Sequence, residues 1–124
     1  MSGMTKVRIA FDVDGTLIRN DSGGDMDQGP PIANERIRTM LISFASMKNT
    51  HIIVWSGGGE LYARQVSNSI GISKYVDQYA SKNLIGKHPD GSYMFRPDIP
   101  RPDIAIDDIQ ETSLGLLNII VREK

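Results

Sequence analysis

The sequence predicts an α/β fold, a doubly wound parallel sheet with helices on both faces, carried in one domain. Two observations predict it. Short apolar stretches alternate with amphipathic helical patterns along the 124 residues, the pattern of β-α-β units. Polar clusters also stand at the carboxyl ends of three of the strands, where such sheets bind ligands at the point of strand-order reversal.

The first strand spans about Lys6 to Val13 and runs into Phe11-Asp12-Val13-Asp14-Gly15-Thr16-Leu17. The polar, turn-rich stretch from Arg19 to Pro31 reads as an excursion. A helix follows from near Asn34, a plausible cap, to Met47, with Ile37, Met40, Leu41, Phe44 and Ala45 on one buried face. The second strand, His51 to Trp55, leads into Ser56-Gly57-Gly58-Gly59. A second helix, Glu60 to Ile70, places Tyr62, Val66 and Ile70 four apart and stops at Gly71. A helical turn and a brief third strand are expected between Tyr75 and Ala80, then a hairpin from Leu84 to Phe95 with His88-Pro89-Asp90-Gly91 at its tip. Pro97, Pro100 and Pro102 stiffen the approach to strand four, Asp103 to Asp107. A short helix near Gln110 to Leu117 leads to strand five, Asn118 to Val121.

Composition narrows the function classes. A formal net charge of -1 gives no footprint for nonspecific nucleic-acid binding. The absence of cysteine excludes disulfides and thiolate metal sites and fits a reducing compartment. No apolar run approaches the ~20 residues of a membrane span, and the N-terminus lacks a signal-peptide core. A soluble, cytoplasmic protein is therefore expected.

The chemistry concentrates in the aspartates. Side chains two apart on a strand share a face, so Asp12 and Asp14 can converge above the end of strand one. Like charges held that close call for a cation or a shared proton. Taken alone, an Asp-Gly turn would be two solvated carboxylates, but Asp107-Asp108 repeats the arrangement at the end of strand four. Between them, Ser56 and the glycines offer a hydroxyl and close backbone approach for an anion. Ser56 capping the second helix is the plainer alternative, and one serine can do both.

These residues resemble the haloacid dehalogenase superfamily, in its phosphatase branch, from about Lys6 to Val121. Four ordered motifs carry the resemblance: Asp12-Val13-Asp14-Gly15-Thr16, Ser56, a lysine after strand three, and Asp107-Asp108. It implies a three-layer Rossmannoid core with strand order 5-4-1-2-3, placing strands one and four side by side. It implies that Asp12 is the nucleophile, forming an aspartyl-phosphate, and that Asp14 protonates the leaving oxygen and then activates water. Mg²⁺ would be held by Asp12, the main-chain carbonyl of Asp14, and Asp107, with Asp108 a further ligand or a partner of one. Ser56, with the amides of Gly57 and Gly58, would contact the phosphoryl oxygens, and Lys82 would neutralise the nucleophile Asp12 and the transferring phosphoryl group. Lys87 is the rival lysine if strand three ends later. Dehalogenating relatives have no use for a second aspartate, so Asp14 favours phosphoryl transfer.

The segments 18–31 and 83–102 are too short for a separate cap domain. An open site of this kind suits a bulky phosphorylated substrate (a polynucleotide end, a sugar phosphate or a phosphoprotein) or cover from a second copy in a homo-oligomer. Two other readings stay open: a non-catalytic Mg²⁺- and phosphate-binding regulatory module, and a receiver-like phosphoacceptor domain. The first would be expected to lose Asp12 or Asp14. The second would need an aspartate after strand three, where Tyr79-Ala80-Ser81-Lys82 stands. His51 lacks a partner at metal-ligand spacing, His88 reads as a turn residue at the hairpin tip, and Trp55 is expected in the core. Asp21, Asp25 and Asp27 fail the calcium-loop pattern and read as solvated loop charges.

Overall fold

The computed structural model of the chain describes residues 5–22, 29–82, 86–87, 89–90, 93–94, 101–108 and 114–122. The elements are β1 (Val7–Asp12), α1 (Glu35–Ala45), β2 (Thr50–Ser56), α2 (Glu60–Ser69), a 3-10 turn (Ser73–Tyr75), β3 (Gln78–Ser81), β4 (Gly86–Lys87), β5 (Tyr93–Met94), β6 (Ile104–Asp107) and β7 (Leu117–Ile120). Five strands form one parallel sheet in the order β3-β2-β1-β6-β7. With β6 and β7 as the predicted strands four and five, this is the expected order. The chain steps outward from β1 through β2 to β3, then crosses back to the other side of β1. The reversal falls between β1 and β6, where ligand sites of open α/β sheets lie.

The apolar residues of β1 and β2 run without alternation because both faces are covered, as parallel sheets require. Ile9 and Phe11 join Ile52, Val54 and Ile106 on one face, packed under Ile37 and Leu41 of α1 and Ala63 and Val66 of α2. The period-3.6 faces read from the sequence are thus the buried ones, with Met40, Phe44, Ala45 and Tyr62 partly buried at their margins. Ala10, Ile53, Trp55, Ala80 and Ala105 line the opposite face, with Leu114 packed on them. Trp55 is fully buried there, in the core as expected, and burying a large side chain of this kind contributes roughly 1.5–3 kcal/mol. Among the described residues both helices pack on the first face. Right-handed crossovers require this, since β1→β2 and β2→β3 move in the same direction.

Gly71 ends α2 with φ of 76°, the left-handed geometry that glycine tolerates best. The hairpin is present as the antiparallel pair of β4 and β5. His88, Asp25, Asp27 and the first half of the helix expected at Gln110 to Leu117 lie outside the described residues. Its described end is a correction: 114–116 bend and Leu117 already begins β7. Asn118 accounts for the bend. Its Oδ1 accepts the N–H groups of Leu114 and Gly115 at 3.1 and 2.9 Å, and its Nδ2 donates to the Gly115 carbonyl at 2.8 Å. Such side-chain bonds compete with the helical ladder. No helix among the described residues is long and apolar enough to cross a membrane.

Candidate active site at the β1–β6 junction

β1 ends at Asp12 and β6 at Asp107, on adjacent strands running the same way. Their carboxylates, with that of Asp108, bring one oxygen each within 4.8 Å of the others. Asp12 and Asp107 are 6% and 1% exposed, so the charges cannot be left to water. β3 supplies the counter-charge. The Lys82 N–H donates to the Ser56 carbonyl at 2.8 Å, extending the β2–β3 pairing by one residue. The side chain then reaches across to donate from Nζ to Asp12 Oδ1 at 3.0 Å and Asp107 Oδ2 at 2.7 Å. The Thr16 hydroxyl donates to Asp12 Oδ2 at 3.2 Å, so both oxygens of Asp12 are held.

The turn that follows β1 shapes the rest. Gly15 has φ of 79°, and a Cβ there would collide with Asp108 Oδ2 and stand 2.8 Å from Asn20 Oδ1. Glycine is needed twice over, for the backbone angle and for the close approach of Asp108.

Three carboxylates and one ammonium, all ionised, sum to a charge of -2, and the ionisation behaviour records the excess. Burial pushes Asp12 up to about 7, against the pull of Lys82 and with Asp107 adding repulsion. Burial also raises Asp108, reinforced by its hydrogen bond to Asp107 and by that residue's charge. Lys82 is pulled down by burial, but the charges of Asp12 and Asp107 outweigh this and hold it above the usual lysine value. The donor set is all oxygen, with Asp12 and Asp107 buried and Asp108 half-buried, and two charges short of neutrality, which fits a hard divalent cation such as Mg²⁺.

The structure thus brings Asp12, Asp107, Asp108 and Lys82 together. Asp14 stands apart from the acidic group, exposed, with its Oδ1 accepting a 2.7 Å hydrogen bond from the Tyr62 hydroxyl. Ser56 is the last residue of β2 and 2% exposed. Its Oγ accepts the Gly58 N–H at 3.0 Å, while Gly59, with no side-chain cap, opens α2. Ser56 is therefore not the helix cap, and the Gly58 amide is directed at Ser56. Gly57 is exposed. The Lys87 side chain lies outside those described, though β3 ends at Ser81, directly before Lys82. His51 bonds Gln78 through Nε2 at 2.9 Å, and Asp21 is exposed and bonded to Arg19.

Sequence reasoning missed two contacts. Tyr62 read only as a core position, and Lys82 was expected on Asp12 without Asp107. The four-residue spacing from Tyr62 to Val66 carried no signal that the ring would pack on the core while its hydroxyl reached a residue 48 positions earlier.

Fold and site together define an α/β domain with a lysine-bridged acidic cluster at the strand-order reversal of its sheet. No family model, curated protein or solved structure matches the chain.

Proposed function

We propose that this chain is a Mg²⁺-dependent phosphomonoesterase of the haloacid dehalogenase type, with Asp12 as nucleophile. The observation that carries the proposal is the convergence of Asp12, Asp107, Asp108 and Lys82 at the β1–β6 reversal. The complete burial of Ile53 and Trp55 on the face opposite α1 and α2 supports a three-layer core. The shortness of the connections supports a site without a separate cap.

Asp12 attacks phosphorus, the bond from phosphorus to the ester oxygen breaks, and an aspartyl-phosphate forms. Asp14 delivers a proton to the departing oxygen, then takes one from the water that cleaves the intermediate and releases phosphate. Tyr62 holds the Asp14 carboxyl in place for both transfers. Lys82 and Thr16 fix the two oxygens of Asp12, and Lys82 places a positive charge beside the transferring group. Asp12, Asp107 and Asp108 would hold the cation, together with the Asp14 carbonyl. When bound, Mg²⁺ supplies the charge that relieves repulsion between a carboxylate and a phosphate dianion. Ser56, whose carbonyl at the end of β2 accepts the Lys82 N–H, would meet a phosphoryl oxygen through its hydroxyl.

The test is phosphate release from aryl, sugar, nucleotide and oligonucleotide phosphomonoesters, with Mg²⁺ and with chelator. Release that needs Mg²⁺ and disappears in Asp12→Asn is the expected result. Chelator-resistant release, or release retained in that variant, would refute the mechanism.

A further inference from the structure

Beside the acidic cluster lies a cavity of about 590 Å³ with the opposite charge. Its wall comes from the chain after the β1 turn, the start of α1 and the residue following β7. Arg19 brings no net charge, because Asp21 accepts two hydrogen bonds from it, at 2.9 and 2.6 Å. Glu35 is similarly matched by Arg38 at 3.7 Å. Arg36 and Arg122 are exposed on this wall and form no ion pair among the described residues. Among the described residues two guanidinium charges are therefore uncompensated around one hollow of a chain whose net charge is -1. The first turn of α1 adds partial positive charge, since Asn34 gives it no side-chain cap.

The cavity and the acidic cluster are neighbours. Asn20 lines the cavity, and its Oδ1 stands 2.8 Å from a Cβ built on Gly15, a point that Asp108 Oδ2 also crowds. From the other side, the Val121 N–H donates to the Asp107 carbonyl at 2.8 Å, which ties Arg122 to the carboxyl end of β6. The cavity thus adjoins Asp108 through Asn20 and the end of β6 through the residue before Arg122.

We propose that this cavity receives a second phosphoryl anion carried by the alcohol part of the substrate, so that the site selects phosphomonoesters bearing a further phosphate or phosphodiester. The proposal rests on the phosphomonoesterase reading. Guanidinium groups match phosphate oxygens through paired N–H donors, and the volume falls within the range that holds a small-molecule moiety. The division of charge is complementary. Carboxylates and a cation handle the transferring phosphoryl group, and arginines hold the anion that stays behind.

Three substrates test it: thymidine 3′-phosphate, thymidine 3′,5′-bisphosphate, and a dithymidine dinucleotide with a 3′-terminal phosphate. Each is assayed with the wild type and with the Arg36→Gln/Arg122→Gln double variant, whose exposed positions leave the fold intact. The expected result is a KM roughly tenfold lower for a doubly anionic substrate than for the monophosphate. The advantage should vanish in the double variant while kcat on the monophosphate stays within about twofold. An advantage confined to the bisphosphate assigns a terminal phosphate; one shared by the dinucleotide assigns the diester. Equal KM values in the wild type, or an advantage that survives the double substitution, overturns the cavity's role and leaves the phosphomonoesterase reading standing. If the wild type releases no phosphate from any of the three, that reading fails for them. Calorimetry with thymidine 3′,5′-bisphosphate then decides the cavity alone: binding weakened about tenfold in the double variant upholds it, and absent or unchanged binding overturns it.

Discussion

At the amino end of the central sheet, Asp103 accepts the Arg8 N–H at 2.8 Å and lies 3.8 Å from the same residue's guanidinium. Asp77 accepts the Ile52 N–H at 2.8 Å. These carboxylates answer backbone donors beside the strands and serve the pairing of the sheet. At the carboxyl end, Asp12, Asp107 and Asp108 crowd within 4.8 Å, and Lys82 bridges two of them. One residue type is spent on local hydrogen bonding at one end and concentrated into excess charge at the other. Excess buried charge opposes folding, and groups displaced from their ordinary ionisation in this way mark sites of chemistry.

Substitutions can break this contrast. The largest effect is expected at the carboxyl end, where Asp12→Asn should lower turnover by roughly 10³-fold or more while circular dichroism stays native. Lys82→Met removes the ammonium that bridges two buried carboxylates and should cost about 3–5 kcal/mol of stability, read by urea titration. Changing pH sharpens the same point. Burial raises Asp12 from 3.8 to about 7 in the folded protein, so between those values the native state holds a proton that the unfolded chain has lost. The stability due to this group is therefore complete below its unfolded value and declines as pH rises through about 7. Metal-free melting temperatures should follow that slope, Asp12→Asn should flatten it, and added Mg²⁺ should oppose it. Tyr62→Phe leaves the fold in place and should slow an alkyl phosphate about tenfold but a nitrophenyl phosphate about twofold or less, because only the poorer leaving group depends on a well-placed acid. At the amino end, Asp103→Asn should cost about 1 kcal/mol and leave turnover unchanged. Equal losses of activity from Asp103→Asn and Asp12→Asn would erase the distinction between the two ends.

Much of this arrangement was legible in the sequence, for a definite reason. Asp12, Ser56, Lys82 and Asp107 stand at or next to the ends of short apolar runs, so finding the strands located the residues. The strand order followed from the resemblance and is reproduced by the β3-β2-β1-β6-β7 sheet. What stayed hidden depends on side chains meeting across long separations. The Tyr62 hydroxyl reaches Asp14, and the Lys82 ammonium spans two strands, because of how α2 and β3 are set against β1. The cavity gathers Arg36 from α1 and Arg122 from beyond β7, which no local pattern connects. At Leu114 to Leu117 a helix was expected, but the side chain of Asn118 captured the backbone groups that a helix would have used.

The position of β6 next to β1 also governs when the site can come into being. Ile9, Ala10 and Phe11 pair with Ile104, Ala105 and Ile106, residues far apart in sequence. During synthesis, β1, β2 and β3 can all have emerged while one edge of β1 is still bare and Asp12 has no Asp107 beside it. The acidic cluster thus forms only once β6 has emerged, and a chain interrupted before Asp107 carries the whole Asp12 to Thr16 motif without the cluster.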